Sequence, residues 1–162
     1  IEDFPDEKWQ EILNVNLSAA FYAIKSVWPS MKQNKFGRII NIASVHGLVA
    51  SEFKSAYVTS KHGIIGLTKS IALEGARWGI TCNAICPGYV KTPLVEGQIK
   101  DQAKAHNISE ADVVKNIMLA KHVIKEFVTP EAIAAMCLLL SGNEGALITG
   151  TSLTIDGGWT AQ

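Results

Sequence analysis

The chain has 162 residues, of which 48% are hydrophobic and 19% charged, a composition that predicts one globular domain with a substantial core. Fifteen basic residues balance fifteen acidic ones and no Lys/Arg block occurs, so we expect neither nucleic acid nor an anionic membrane as a partner. No apolar run is long enough to span a membrane and the start IEDFPDEKW lacks the pattern of a signal peptide, which predicts a cytoplasmic location.

The cysteines and histidines give no sign of a disulfide or a metal site. Cys82, Cys86 and Cys137 are odd in number and lack C-x-x-C spacing, so we interpret them as buried free thiols. The four histidines form no H-x-x-x-H cluster. We therefore expect no metal.

The first half of the chain predicts two long helices around a strand. Apolar residues recur at steps of three and four over residues 6–31, and Pro29 is expected to kink or fray the last turn of this helix. The β-branched run GRIINIAS, residues 37–44, predicts a parallel strand covered on both faces. A second helical pattern covers residues 55–78 and is closed by Gly79 as its C-terminal cap.

The second half continues the alternation of strand and helix. Residues 80–88 predict another buried strand, and residues 89–128 are polar with short helical patches, long enough for a lid over a functional site. A helix over residues 130–140 and a strand over residues 152–158 follow. This order predicts an α/β fold with a parallel sheet and helices on both faces.

A phosphate-binding loop is missing from the pattern. The thirteen glycines contain no G-x-G-x-x-G, and the sequence opens directly on a helix. We therefore interpret residues 1–162 as the second, catalytic part of a doubly wound, Rossmann-type domain. The outer edge of its first strand would then be unpaired.

Tyr57 and Lys61 form the most informative pair in the sequence. Residues four apart share one helix face, so the Lys61 ammonium is expected to favour the phenolate of Tyr57 and lower its pKa, which would make Tyr57 a general base. Ser44 ends the first strand, where parallel sheets place ligand-binding groups, and its hydroxyl could hold a substrate oxygen. Taken alone, Y-x-x-x-K is a weak pattern that better fits a surface tyrosine beside a solvated lysine.

Six segments together resemble the short-chain dehydrogenase/reductase family, in this order along the chain: NVNL, GRIINIAS with its terminal serine, YVTSK, NAICPG, TPL and DGG. The resemblance implies a catalytic tetrad of Asn16, Ser44, Tyr57 and Lys61. In this reading Tyr57 exchanges the proton, Ser44 orients the reacting oxygen, Lys61 tunes Tyr57 and holds the nicotinamide ribose, and Asn16 fixes a helix kink and a water of the proton relay.

The same resemblance implies a nicotinamide cofactor. It assigns Pro87, Gly88, Val90 and Thr92, together with Tyr57 and Lys61, to the nicotinamide end. NAD is the cofactor that the resemblance implies, although the acidic residue that would select NAD over NADP belongs to the region that this sequence does not contain.

Within the family, the segments SVHGLVAS, FKSAYVTSKHG, CPGYVKTPLVEGQI and DGGWTAQ are most similar to bacterial 3-hydroxybutyrate dehydrogenases. This implies a short hydroxy acid bound by Ser44, His46, Lys54, Tyr57 and Gln98, and interconversion of (R)-3-hydroxybutyrate and acetoacetate. The residue chemistry agrees, because Lys54 offers a mobile cation to a carboxylate while His46 and Gln98 offer directional N–H groups.

Two alternatives remain open at this point. The chain could belong to another dehydrogenase of the family, such as a 3-oxoacyl reductase or a polyol dehydrogenase, although His46, Lys54 and Gln98 favour a carboxylate. It could also be a catalytically silent fragment or assembly module. The resemblance further implies a homotetramer and a C-terminal Gln162 that is tied down by the fold.

Overall fold

A three-stranded parallel sheet forms the centre of the protein, seen in a computed structural model that describes residues 1–161 and so leaves the prediction for Gln162 outside the described residues. The strands are β1 (Gly37–Ile42), β2 (Ile80–Pro87) and β3 (Ser152–Ile155), in the spatial order β1-β2-β3. β1 runs in register with β2 from Gly37 opposite Ile80, and β2 pairs with β3 from Ala84 opposite Ser152. The predicted α/β fold with a parallel sheet is confirmed.

Within residues 1–161, six α-helices connect and cover these strands, and two of them are continued by π-helical turns. They are α1 (Asp6–Leu13) with the π turn Asn14–Ser18, α2 (Ala19–Asn34), α3 (Ser55–Gly75), α4 (Pro93–His106), α5 (Glu110–Val113) with the π turn Val114–Met118, and α6 (Pro130–Ser141). Short 3-10 turns lie at Val45–Gly47, Ala76–Trp78 and Trp159–Ala161.

The first predicted helix differs from its prediction in two respects. It contains a π turn between α1 and α2, and α2 continues past Pro29 to Asn34. Pro29 is exposed, so the carbonyl that loses its N–H partner can bond to water and the helix is not ended there. α2 ends instead where Lys35 adopts a left-handed conformation with φ of 49°.

The strands differ in how deeply they are buried. All eight residues of β2 are buried, as predicted for a parallel strand covered on both faces. β1 stops at Ile42, two residues before the predicted end, and only alternate residues are buried; Ile42 itself is 48% exposed. The prediction that both faces of β1 are covered is wrong. Among residues 1–161 its outer edge pairs with no strand, as expected.

The main core lies between the sheet and helices α2 and α3. One cluster joins Ile24, Ile39, Ile71 and Ile80, and a second packs around Ile64. Some buried polar groups of the sheet are hydrogen-bonded: the Asn41 side chain donates to Thr68 Oγ1 of α3 at 2.9 Å, whereas Arg38 Nε and Thr81 Oγ1 are buried without a partner among residues 1–161. Apolar burial and satisfied polar groups thus fix α3 against the sheet.

The segment 89–128 has a small core of its own. Ile99 of α4 packs with Val113, Met118 and Leu119, and a short parallel bridge between Val90 and Val128 closes the base of the segment. The segment is more regular than predicted, because α4 alone has 14 residues. Its function as a lid stays a prediction.

The thiols agree with the sequence analysis for two of three positions. Cys82 and Cys86 are fully buried, and Cys137 is half-buried; all three are free. Burial raises the pKa of Cys82 to about 11, which keeps it protonated and inert.

Within residues 1–161, no group of three or more His, Cys, Asp or Glu side chains has the arrangement of a metal site. None of the helices in this part of the chain is long and apolar enough to cross a membrane.

Candidate active site

The carboxyl ends of β1 and β2 open into a pocket of about 480 Å³. Parallel sheets bind ligands at this edge, because the loops that follow neighbouring strands meet there. The pocket unites the strand ends with the start of α3 and with α4. Its lining is formed by Ser44, Val45, His46, Lys54, Tyr57, Gly88, Tyr89, Val90, Thr92, Leu94, Val95, Gln98 and Trp159.

Ser44 lies just beyond β1 in fully extended backbone, with φ of −176° and ψ of 163°. Its hydroxyl oxygen accepts a hydrogen bond from the His46 backbone N–H at 3.2 Å and so starts the 3-10 turn that follows. Ser44 is 8% exposed and faces the pocket. The hydrogen bond therefore fixes the position of the Ser44 hydroxyl, which can still form a further hydrogen bond to a ligand.

Tyr57 and Lys61 lie one turn apart on α3, as their spacing predicts. The Lys61 ammonium is 5.6 Å from the centroid of the Tyr57 ring and donates a hydrogen bond to the carbonyl of Ile42 at 3.1 Å. Burial lowers the pKa of Lys61, against an opposing influence of Cys86. Tyr57 lines the pocket, whereas Lys61 lies behind it. Both residues are partly buried, so they do not form a fully solvated surface pair, and their catalytic role stays a prediction.

His46 packs edge-on between two aromatic rings. Its ring centroid is 5.8 Å from that of Tyr57 and 5.3 Å from that of Trp159, and its Nε2 pairs with Ser51 Oγ at 2.9 Å. Burial, reinforced by the positive charges of Lys54 and other cations nearby, lowers the pKa of His46 to about 4. The ring is therefore neutral at neutral pH and contributes a polar group without a charge.

Lys54 and Gln98 reach the pocket from its exposed rim. Lys54 is the residue before α3, and its ammonium lies 6.0 Å from the centroid of the Tyr89 ring. Gln98 projects from α4, in the segment predicted as a lid. Both side chains are exposed, so each keeps the freedom to turn toward a ligand.

The residues predicted for the nicotinamide end follow β2. Pro87 is its last residue, and the backbone N–H of Gly88 donates to Ile155 of β3 at 3.0 Å, which extends the sheet by one residue. Val90 belongs to the bridge at the base of the 89–128 segment, and Thr92 caps α4, its Oγ1 accepting from the Val95 N–H at 3.3 Å. Of the predicted residues in this segment, Pro87 alone is absent from the lining.

Asn16 lies outside the pocket lining, in the π turn between α1 and α2. The kink that the resemblance assigns to Asn16 stays a prediction; the structure shows a π turn at this position. The neighbouring Leu17 packs against α3 at Gly63, where an added Cβ would be only 2.7 Å from Leu17 Cδ2. π-helical turns often mark functional sites. The specific role of Asn16 in a proton relay stays a prediction.

Two aromatic residues of the pocket were not identified from the sequence. Trp159 is 7% exposed and stacks on Tyr89, with ring centroids 6.1 Å apart and planes at 18°. Both residues follow the carboxyl end of a strand, Tyr89 after β2 and Trp159 after β3. A position just after the end of a strand, and for Trp159 its place after the DGG segment, are the sequence features that could have identified these two residues. These two rings, with Val45, Leu94 and Val95, give the pocket an apolar wall.

Comparison with known proteins assigns the class. A family model described as enoyl-(acyl carrier protein) reductase, adh_short_C2, matches residues 1–160. The chain belongs to the short-chain dehydrogenase/reductase family.

Two of its relatives are both named D-beta-hydroxybutyrate dehydrogenase. The chain is 57% identical over 162 residues to the D-beta-hydroxybutyrate dehydrogenase of Rhizobium meliloti (strain 1021). It is 48% identical over 162 residues to the D-beta-hydroxybutyrate dehydrogenase of Cupriavidus necator (strain ATCC 17699). All of this chain and 63% of each relative are aligned, so the chain spans less than two thirds of the length of these relatives.

Solved structures confirm the Rossmann-type fold. An actinorhodin polyketide ketoreductase with NADPH superposes with a TM-score of 0.91 at 34% identity, over 99% of this chain and 62% of that one. A short chain dehydrogenase family protein from Francisella tularensis gives a TM-score of 0.88 at 29% identity, over 99% of this chain and 65% of that one.

Proposed function

We propose that the protein interconverts (R)-3-hydroxybutyrate and acetoacetate with NAD as the hydride carrier. One observation carries this proposal: the serine and the tyrosine suited to proton transfer share a single small pocket with a lysine suited to a carboxylate. The names of the two relatives support the same substrate. Residues 1–162 would form the catalytic part of the domain, with residues 89–128 as its lid.

Ser44 and Tyr57 would act on the substrate oxygen. The Ser44 hydroxyl donates to the oxygen at C3, and the Tyr57 phenolate takes the hydroxyl proton during oxidation and returns it during reduction. The Lys61 ammonium lies 5.6 Å from the centroid of the Tyr57 ring and so places a positive charge beside the site of proton transfer. Asn16 in its π turn would support the route by which the proton reaches water.

Lys54, His46 and Gln98 would bind the carboxylate. Lys54 supplies the charge, and the two neutral side chains supply directional hydrogen bonds. A neutral His46 agrees with its buried position and lowered pKa. The methyl group at the other end of the substrate would rest against Trp159 in the apolar wall.

The residues present fit the nicotinamide end of NAD. Lys61 and Tyr57 would hold the ribose, and Pro87, Gly88, Val90 and Thr92 lie at the same sheet edge for the ring and its carboxamide. A cofactor held there would supply the hydride acceptor for oxidation of the hydroxy acid and the hydride donor for the reverse reaction. Residues 1–161 contain no glycine-rich loop for the phosphates, so this part of the chain accounts for the nicotinamide half of the cofactor.

The test is the formation of NADH from NAD and (R)-3-hydroxybutyrate by the full-length protein. 2-Butanol, which lacks the carboxylate, should be a poor substrate, and NADP should serve less well than NAD. Lys54→Ala should raise the KM for 3-hydroxybutyrate by about tenfold or more, because a charge-assisted hydrogen bond contributes about 1.5–3 kcal/mol. The matched control is Lys69→Ala, an exposed lysine on the outer side of α3.

Three outcomes would contradict the proposal. Equal turnover of 2-butanol and 3-hydroxybutyrate, or equal KM values for Lys54→Ala and Lys69→Ala, would refute the carboxylate site. Turnover of a 3-oxoacyl thioester or a polyol in place of the hydroxy acid would favour another dehydrogenase of the family. No turnover of any of these substrates would favour an assembly module.

We also propose that the protein is a homotetramer. Leu138, Leu139 and Leu147 are 73%, 48% and 96% exposed and lie on α6 and just after it. Exposed apolar surface of this kind is typical of subunit contacts.

A further inference from the structure

His122 is a buried histidine to which the proposed reaction assigns no role. It is 1% exposed and lies where the end of the 89–128 segment meets the turn after β3. Its Nε2 accepts a hydrogen bond from the backbone N–H of Tyr89 at 3.3 Å. The N–H groups of Val123 and Ile124 both donate to the carbonyl of Gly157, at 2.7 and 2.9 Å, which fixes the backbone beside the ring.

The His122 ring contacts both aromatic residues of the pocket wall. Its centroid lies 6.3 Å from that of Tyr89 and 5.8 Å from that of Trp159, while those two rings stack on each other. Trp159 in turn contacts His46. His122 is therefore the outer support of an aromatic cluster whose inner members line the pocket.

Two glycines leave the space that the imidazole occupies. A Cβ on Gly88 would lie 2.7 Å from His122 Nε2, and a Cβ on Gly157 would lie 2.9 Å from His122 Nδ1. Both distances are shorter than a carbon atom can approach a ring nitrogen without displacement. The ring thus fills the space beside both strand ends that a side chain at Gly88 or Gly157 would need.

The hydrogen bond to Tyr89 defines the protonation state of the ring. Nε2 can accept only while it carries no proton, so the proton of neutral His122 lies on Nδ1. Burial is the largest influence on His122 and lowers its pKa. A backbone hydrogen bond at Glu126 and the charge of Asp156 oppose burial, and the charge of Lys125 reinforces it. The neutral form that the geometry requires therefore prevails at neutral pH.

We propose that His122 is a positioning residue that holds Tyr89 and, through it, Trp159 at the substrate pocket by accepting the Tyr89 N–H in its neutral Nδ1–H form. The consequence for activity rests on the proposed function. His122 does not touch Ser44 or Tyr57, so its loss should affect substrate binding at the wall and leave proton transfer intact.

Kinetics of the full-length protein with acetoacetate and NADH test the consequence for activity. His122→Leu fills the space without an acceptor and should raise the KM for acetoacetate by about fivefold, as expected for one lost buried hydrogen bond, with kcat changed less than about twofold. His122→Gln places a carbonyl oxygen at similar reach and should restore the KM to within about twofold of the original protein. His106→Gln, at an exposed histidine of α4, is the matched control.

Equal KM values for His122→Leu and His122→Gln would overturn the proposal, because loss of packing alone would then explain both variants. A fall in kcat without a change in KM would overturn it as well, since His122 would then act on the chemical step.

A second measurement needs no activity and no variant. Nitrogen-15 NMR of the imidazole in the full-length protein should show His122 with an unprotonated Nε2 and a protonated Nδ1 at neutral pH, and the Tyr89 amide should be strongly protected from hydrogen exchange. A protonated Nε2, or rapid exchange of the Tyr89 amide, would refute the hydrogen bond. These results stand even if the protein proves inactive toward acetoacetate, so failure of the proposed function and failure of this inference can be told apart.

Discussion

At the scale of single residues, the proposed chemistry depends on Tyr57 more than on any other side chain. The tyrosine lines the pocket with Ser44, and the ammonium of Lys61 lies 5.6 Å from its ring. A phenol in this position can give and take a proton, whereas the ring alone only fills space. Removing only the hydroxyl oxygen of Tyr57 therefore separates its contribution to proton transfer from its contribution to packing.

Tyr57→Phe is expected to lower kcat by about 10²–10⁴-fold while leaving the thermal unfolding midpoint close to that of the original protein. The phenyl ring keeps its edge-on contact with His46, so the pocket should retain its shape. Steady-state kinetics and thermal unfolding measure the two effects. Tyr22→Phe, at a 65% exposed tyrosine of α2, serves as the control and should change neither. A Tyr57→Phe protein with more than a tenth of the original kcat would exclude Tyr57 as the general acid and base.

His46 should make the stability of the protein sensitive to acid. Its pKa falls from 6.5 to about 4 on folding, so between these values the unfolded chain binds a proton that the folded chain does not. Stability is then complete above about pH 6.5 and decreases as the pH falls toward about 4, by up to about 3 kcal/mol. Urea unfolding at about pH 7 and about pH 4.5 measures this loss.

His46→Gln should lose less stability than the original protein over the same pH interval, because glutamine does not titrate. His122, whose pKa is also lowered, is present in both proteins, and so its contribution cancels in the comparison. An equal loss in the two proteins would mean that His46 is not the group responsible.

At the scale of elements, the sequence predicts those structural features that depend only on residues close together along the chain. The eight buried residues of β2 and the i, i+4 pair on α3 follow from local pattern, and both are confirmed. α2 continues past Pro29 because that residue is exposed to solvent, and the local sequence pattern does not predict this exposure. The contact of His122 with Tyr89 joins residues 33 positions apart, so it exists only once the 89–128 segment has folded onto the sheet.

The joint between α3 and the sheet gives a stability prediction. Gly79 caps the 3-10 turn Ala76–Trp78 that follows α3; its φ is 69°, and a Cβ there would lie 2.5 Å from the carbonyl oxygen of Lys35. Gly79→Ala should lower the free energy of unfolding by about 1–3 kcal/mol, through left-handed strain and this clash. Gly97→Ala should raise it by about 0.5–1 kcal/mol, because Gly97 lies within α4 and no atom is within 4 Å of the added Cβ.

Urea denaturation of both glycine variants measures the difference. Equal stabilities for Gly79→Ala and Gly97→Ala would show that the end of α3 tolerates a side chain and that the cap does not fix the helix to the sheet.

At the scale of the whole molecule, two surfaces are suited to further contacts. The outer edge of β1 offers unpaired backbone groups among residues 1–161, and such an edge accepts an additional parallel strand. The face of α6 instead offers side chains, with Leu138 at 73% exposure. A strand added at the β1 edge would extend the sheet. The apolar face of α6 would instead join one subunit to another.

The α6 surface gives the test of the proposed homotetramer. Leu138→Lys places a charge in the exposed leucine patch, and burying that charge in a subunit contact would be costly. We expect the mass of the full-length protein, measured by light scattering coupled to size exclusion, to fall from four subunits toward two or one. Asn116→Lys adds the same charge at an exposed position of the 89–128 segment and should leave the mass unchanged. A monomeric original protein, or a Leu138→Lys protein that keeps the original mass at low concentration, would show that α6 does not form the subunit contact.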